Sequence, residues 1–295
     1  MTNFNKKYLK IIAFLLIMIF FVSGCSLKSK NNNEENGNND ITKKGTSPEI
    51  PKNLNEKKKE IISRYEDRIP EEWGEDVSGV INKIDTDKKV IALTLDACGG
   101  GGLKDGYDKK LINFLSKENI PATLFINYRW IDANQEVFME LSKNSLFTIG
   151  NHGYRHLPLS LEGKSVYDIE GTDGIEEVVD EVMYNELKIE KLTGKKPKYF
   201  RTGTAYYDEV AVEIVNELGE KVIGYDILGD AGATFNKKQV KKAFLNVEPG
   251  SIILAHMNHP ESETAEGIIA AVPELKKRGF KFVKLEDYDN KLISK

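Results

Sequence analysis

The sequence predicts an α/β fold built on a parallel sheet, and three observations carry that expectation. From Val90 to the C-terminus, short β-rich runs alternate with amphipathic stretches of ten or more residues. Such alternation is the signature of right-handed βαβ units around a parallel sheet. The folded part, roughly 220 residues, is long enough for one large domain with a full core. The unit recurs about seven times, which suggests a barrel and leaves an open doubly wound sheet as the alternative.

The N-terminus stands apart from this pattern. Lys6, Lys7 and Lys10 precede an apolar run from Ile11 to Val22, which ends in Val22-Ser23-Gly24-Cys25. The run is short for a bilayer span and has small residues before the cysteine, so residues 1–24 are expected to be a secretory signal. The string resembles a bacterial lipobox, which implies cleavage before Cys25 and lipidation of its thiol; a plain anchor helix is the alternative. Either places the remainder at the outer face of the cytoplasmic membrane. From Ser26 to about Asn55 almost nothing is apolar, so this stretch is expected to be a flexible tether. Asn55 to Glu72, with Ile61, Ile62 and Tyr65 at helical spacing, is expected to be a polar helix or collar, closing a segment 25–72 ahead of a folded domain 73–295.

Within the domain the expected strands are Val90–Asp96, Ala122–Asn127, Phe147–Asn151, Tyr199–Thr202, Lys221–Ile227, Ser251–His256 and Lys281–Leu285. Each is short, apolar and rich in β-branched or aromatic residues. The expected helices are Tyr107–Asn119, Gln135–Lys143, Ile175–Leu192, Glu209–Leu218, Lys237–Asn246 and Glu266–Arg278. The formal charge of −4 argues against nucleic acid as a partner. Gly99 to Gly102 lacks the Lys-Ser/Thr of a phosphate-binding loop. With Cys25 lipidated, Cys98 has no disulfide partner.

In parallel α/β folds chemistry gathers at the C-terminal ends of the strands. Those positions hold Asp96, Asn151-His152, Arg201, Asp226 with Asp230, and His256. All four histidines lie in two strings, 151–156 and 254–259. His152 and His156 are spaced i, i+4, which in a helical turn puts both rings on one face, a spacing that suits zinc or another divalent metal. Asp96 closes an apolar strand and is a natural general base. Arg201 and Asp230 are expected to form a buried charge pair, and His256 to act as a general acid. His259, before Pro260, is expected to be a loop residue.

At these residues the chain resembles the polysaccharide deacetylase family, the NodB-homology domain of carbohydrate esterase family 4. The carriers are Thr94-Leu95-Asp96-Ala97, His152-Gly153-Tyr154-Arg155-His156, Phe200-Arg201 with the following segment to Tyr207, Asp226 to Asp230, and Leu254-Ala255-His256, in the family's motif order. The resemblance covers roughly Trp73 to the C-terminus. It implies a distorted (β/α)7 barrel that removes N-acetyl groups from a cell-wall polysaccharide. Asp96 would be the base, His256 the acid, His152 and His156 metal ligands, and Tyr206 a wall of the sugar pocket.

Two departures matter. The family's first motif has a second aspartate, its third metal ligand, where this chain has Ala97. Asp96 itself, the Cys98 thiolate or His259 could complete the shell; without a replacement the chain would be a glycan-binding pseudoenzyme. The third motif lacks its proline, so Thr202 to Tyr207 would supply the backbone donors in another geometry. A hydrolase of another acyl bond, an O-acetyl ester or a cyclic amide, is the further alternative.

Overall fold

A computed structural model describes residues 52–292 and 294; the signal segment, Cys25 and nearly all of the tether lie outside the described residues. Helix α1 (Lys52–Tyr65) opens the described part. Its buried Ile61 and Tyr65 join an apolar cluster with Val178 and Val182 of α5 (Ile175–Thr193). Lys58 at its centre bonds Asp180 at 2.7 Å and Glu176 at 2.9 Å. The spacing of Ile61 and Tyr65 thus marks a docked face.

Eight parallel strands come next: β1 (Val90–Ala97), β2 (Ala122–Ile126), β3 (Phe147–Asn151), β4 (Tyr199–Phe200), β5 (Lys221–Val222), β6 (Ile227–Leu228), β7 (Ile252–His256) and β8 (Lys281–Val283). Their order across the sheet is β5-β4-β3-β2-β1-β7-β6, and β8 pairs with the first residues of β1. The sheet curls into a barrel that stays open between β5 and β6. Its inner face encloses Ala92, Phe125, Tyr199, Ile223 and Ile252. An inner face filled in this way belongs to the distorted barrel and not to the doubly wound alternative.

Alternation along β1 decides what faces where. Ile91, Leu93, Leu95 and Ala97 join the outer apolar layer under the helices. Ala92, Thr94 and Asp96 point inward. The helices of that outer layer are amphipathic and capped by their own sequence. Asp108 caps α2 (Lys109–Lys117), Asp208 caps α6 (Glu209–Leu218), and Asn236 with Gln239 forms a capping box on α7 (Lys237–Leu245).

One expected strand is broken. Lys221–Ile227 separates into β5 and β6, because the carbonyls of Ile223 and Gly224 turn inward to accept N–H groups of Arg201 at 3.0 and 2.8 Å. A backbone committed to a buried guanidinium cannot also continue a ladder. A short helix, α3 (Tyr128–Ala133), is an addition to the expected elements; Asn127 starts it by accepting the Arg129 N–H. The remaining helices, α4 (Gln135–Lys143) and α8 (Thr264–Lys277), lie at or within two residues of expectation.

Candidate active site

The floor of the site is a stack built on Phe125. The Arg201 guanidinium lies 4.4 Å over that ring and is fully buried. Besides the two carbonyls it reaches Thr94 Oγ1 at 2.8 Å and Asp96 Oδ1 at 2.9 Å. Every contact is a charge-assisted hydrogen bond, which is what makes a buried cation tolerable. The expected Arg201–Asp230 pair is therefore corrected: Arg201 holds Asp96. Asp230 instead accepts from His256 Nδ1–H at 2.9 Å, from the His256 backbone N–H at 2.7 Å and from the Thr264 hydroxyl at 3.0 Å.

Asp226 is not on the rim. It accepts from Ser251 Oγ and the Ile252 N–H, at the opening end of β7 and so at the opposite end of the strand from His256. His259 stands apart as well, with Nδ1 on Glu261 at 2.9 Å.

His152 and His156 meet, but not through a helical turn. Residues 152–157 form a loop in which Gly153 and His156 both have positive φ, +74° and +66°. The rings cross edge to face with centroids 4.9 Å apart. The loop holds this shape because its backbone N–H groups find acceptors on the neighbouring helix. The buried Glu181 carboxylate of α5 accepts from Arg155 at 2.8 Å, His156 at 2.8 Å and Leu157 at 3.2 Å. Asn127 Nδ2 fixes the carbonyls of His152 and Gly153. Burial pushes the Glu181 carboxyl up to about 7 against those N–H groups, which favour its anion. Glu181 was missed from sequence, although a signal existed: a Glu between Val178 and Val182 on the apolar stripe of a helix must be buried against something polar.

His152 Nδ1–H donates to the Arg201 carbonyl at 2.9 Å, which leaves the Nε2 lone pair facing Cys98 Sγ at 3.8 Å and Asp96 Oδ2 at 3.7 Å. Nε2 of His156 is buried with no hydrogen-bond partner. The ligand atoms of Cys98, His152 and His156 all lie within 4.8 Å of one another. An orphaned imidazole nitrogen beside a second imidazole and a thiol is a donor set that fits a divalent metal. Gly203 makes the approach possible, since a Cβ there would come within 2.2 Å of His156 Cγ.

Charge balance obeys the same geometry. Burial would lower His256, but the Asp230 carboxylate and Cys98 lift it well above the usual histidine range. Burial would raise Asp230, and His256 holds it below the carboxylate range instead. Burial opposes ionisation of Cys98 as well; the neighbouring imidazoles of His156, His152 and His256 nevertheless hold the thiol well below its usual value. Tyr206 stands between Trp73 and Tyr167, at centroid distances of 5.8 and 5.7 Å, in an aromatic group on the loop that carries Gly203. In that loop the N–H of Thr202 is taken by Tyr207 Oη and that of Ala205 by the Thr202 carbonyl.

The family model for polysaccharide deacetylase matches residues 83–223, a span that contains β1, both site histidines and Arg201. Over that span, just under half of its length, the chain is similar to the polysaccharide deacetylase family. It is 26% identical over 229 residues to the peptidoglycan-N-acetylmuramic acid deacetylase PdaA of Bacillus subtilis, covering 74% of this chain and 80% of that protein. The solved structure of Bacillus subtilis PdaA, a family 4 carbohydrate esterase, superposes with a TM-score of 0.59 at 22% identity, covering 84% of this chain and 93% of that one. A family 4 pseudoenzyme from Bacillus anthracis superposes with a TM-score of 0.56 at 22% identity, covering 68% and 66%. The shared fold is thus common to active and inactive relatives.

Proposed function

We propose that this chain is a membrane-tethered, metal-dependent hydrolase that removes N-acetyl groups from a cell-wall polysaccharide, peptidoglycan or another N-acetylhexosamine polymer, outside the cytoplasmic membrane. The observation that carries the reading is the pairing of two opposed groups at one rim. Asp96 is a carboxylate fixed by Arg201, and His256 is an imidazole fixed by Asp230. A base and an acid held apart by separate partners are what hydrolysis of an amide needs. The signal and the lipid on Cys25 rest on the sequence of residues 1–25, and the tether on that of residues 26–55.

Asp96 takes a proton from the attacking water, with Arg201 holding Oδ1 so that Oδ2 faces the reaction. His256 keeps its Nδ1–H on Asp230 and delivers the Nε2 proton to the amine nitrogen as the C–N bond breaks, releasing acetate and a free amine. A divalent metal, with zinc the natural choice, would be held by His152 and His156 and supplies Lewis acidity toward the acetyl carbonyl. A backbone N–H of Gly203 or Thr204 would serve the oxyanion, since those of Thr202, Ala205 and Tyr206 are already engaged. Tyr206, Trp73 and Tyr167 offer aromatic faces to a sugar ring.

The test is acetate release from N-acetylglucosamine oligomers and from peptidoglycan by the full chain with zinc or cobalt. Asp96→Asn and His256→Ala should each lower the rate by roughly 100-fold or more. Unchanged rates in both would reject this assignment of roles. Ala97 supports a second reading, a glycan-binding protein without turnover; glycan binding with no acetate released from any N-acetyl polymer would favour it.

A further inference from the structure

The family's third metal ligand is an aspartate directly after the base, and at that position this chain has Ala97. The structure shows why a carboxylate at 97 would not serve in this chain. Ala97 is paired with Ile126 in the β1–β2 ladder and lies in the outer apolar layer with Leu93, Leu95 and Trp130. Its side chain is fully buried there, on the opposite face of β1 from Asp96. The next residue, Cys98, returns to the inner face.

The turn that begins at Gly99 holds Cys98 in place. Gly99 has φ +68°, and a Cβ there would come within 2.3 Å of the Trp130 backbone nitrogen. The chain can therefore turn sharply against α3 only with glycine at 99. Trp130 is locked in turn by its indole N–H on the Gly106 carbonyl at 2.8 Å. The turn aims Cys98 Sγ at the two imidazoles.

We propose that Cys98 is a ligand of the metal, so that the centre is built from one thiolate and two imidazoles in place of the family's carboxylate and two imidazoles. The distances suit this. Zinc bonds of about 2.3 Å to sulfur and 2.0–2.1 Å to nitrogen, set tetrahedrally, separate the two ligand atoms by about 3.5 Å. Cys98 Sγ and His152 Nε2 are 3.8 Å apart, and the three-residue group spans no more than 4.8 Å. His156 Nε2, buried and unpartnered, is the orphan that a metal would satisfy. Asp96 Oδ1 is meanwhile committed to Arg201, which leaves that carboxylate to act as base. A thiolate ligand changes metal choice: the centre should prefer zinc and cobalt(II) and bind magnesium and manganese poorly. The proposal depends on the deacetylase reading only for what the metal does, not for where it binds.

Cobalt(II) added to the metal-free full chain tests it. The expected result is one cobalt per chain with an intense near-ultraviolet thiolate-to-cobalt charge-transfer band. Cys98→Ser should abolish the band and weaken binding at least about 10-fold, and His152→Ala should abolish it too. Cys25→Ser should leave it intact, because Cys25 is the chain's other cysteine. Cys98→Asp should bind cobalt without the band, which separates a lost ligand from a lost fold. Cobalt binding by the parent chain without that band, or equal affinity in Cys98→Ser, would overturn the proposal. A strong band in a chain that releases no acetate would sustain the ligand assignment and sink the deacetylase reading.

Discussion

Replacing Glu181 by alanine tests whether the loop that carries His152 and His156 is held from behind by α5. Its carboxylate accepts N–H groups of Arg155, His156 and Leu157 and is buried while doing so. A hydrogen bond to a charged group contributes roughly 1.5–3 kcal/mol, so the nominal loss for three is about 5–9 kcal/mol. The loop is half-exposed and water can reach the freed donors, which brings the expected destabilisation to about 3–5 kcal/mol. The local consequence should be larger than the global one. His156 sits at positive φ only while its N–H is anchored, so the two imidazoles should separate. Supporting residues of this kind typically govern 10–100-fold of metal affinity. Urea unfolding gives the first quantity and competition with a chelator the second. Zinc affinity within twofold of the parent chain, in a folded variant, would refute the reasoning.

Asp230→Asn should move the alkaline limb of kcat/KM down by at least about one pH unit. The sign comes from the raised His256: the pair's stabilisation is complete below the ordinary histidine value and is lost as pH rises through the folded one. A lowered Asp230 adds stabilisation present above the ordinary aspartate value and lost as pH falls through its folded one, so the pair is secure at neutrality. An unmoved limb would count against His256 as the acid. Arg201→Lys cannot reproduce four buried contacts with one ammonium and should cost about 3–5 kcal/mol in urea unfolding; a loss under about 1 kcal/mol would contradict the Arg201–Phe125 stack as the floor of the site. Gly203→Ala should abolish tight zinc binding with little change in far-ultraviolet circular dichroism, since its methyl would meet the His156 ring; normal zinc affinity would mean that the loop has room to shift.

Much of the fold is legible in the sequence because it depends on local rules. Strand alternation identifies Phe147–Asn151 and its histidine loop, and the apolar period identifies Glu209–Leu218 to the residue. What escapes is set by tertiary partners. Arg201 and Asp230 both look like members of one pair, yet each meets the titratable group that the curl of the sheet brings to it. Asp226 falls near the end of the expected strand Lys221–Ile227, but the break at Ile223 and Gly224 returns it to the start of β7. Ala97 looks like a lost ligand because a motif does not say which face of a strand a side chain takes; the alternation of β1 turns Ala97 outward, and in the proposed centre Cys98 takes that role.

Whether this rim hydrolyses an N-acetyl group with the help of one bound metal is tested most directly by acetate released from peptidoglycan as zinc is titrated into the metal-free full chain. Release should rise with zinc and level off at one equivalent, with one free amine formed for each acetate. Zinc taken up to one equivalent with no acetate released, or acetate release at full rate before any zinc is added, would contradict a metal-dependent deacetylase.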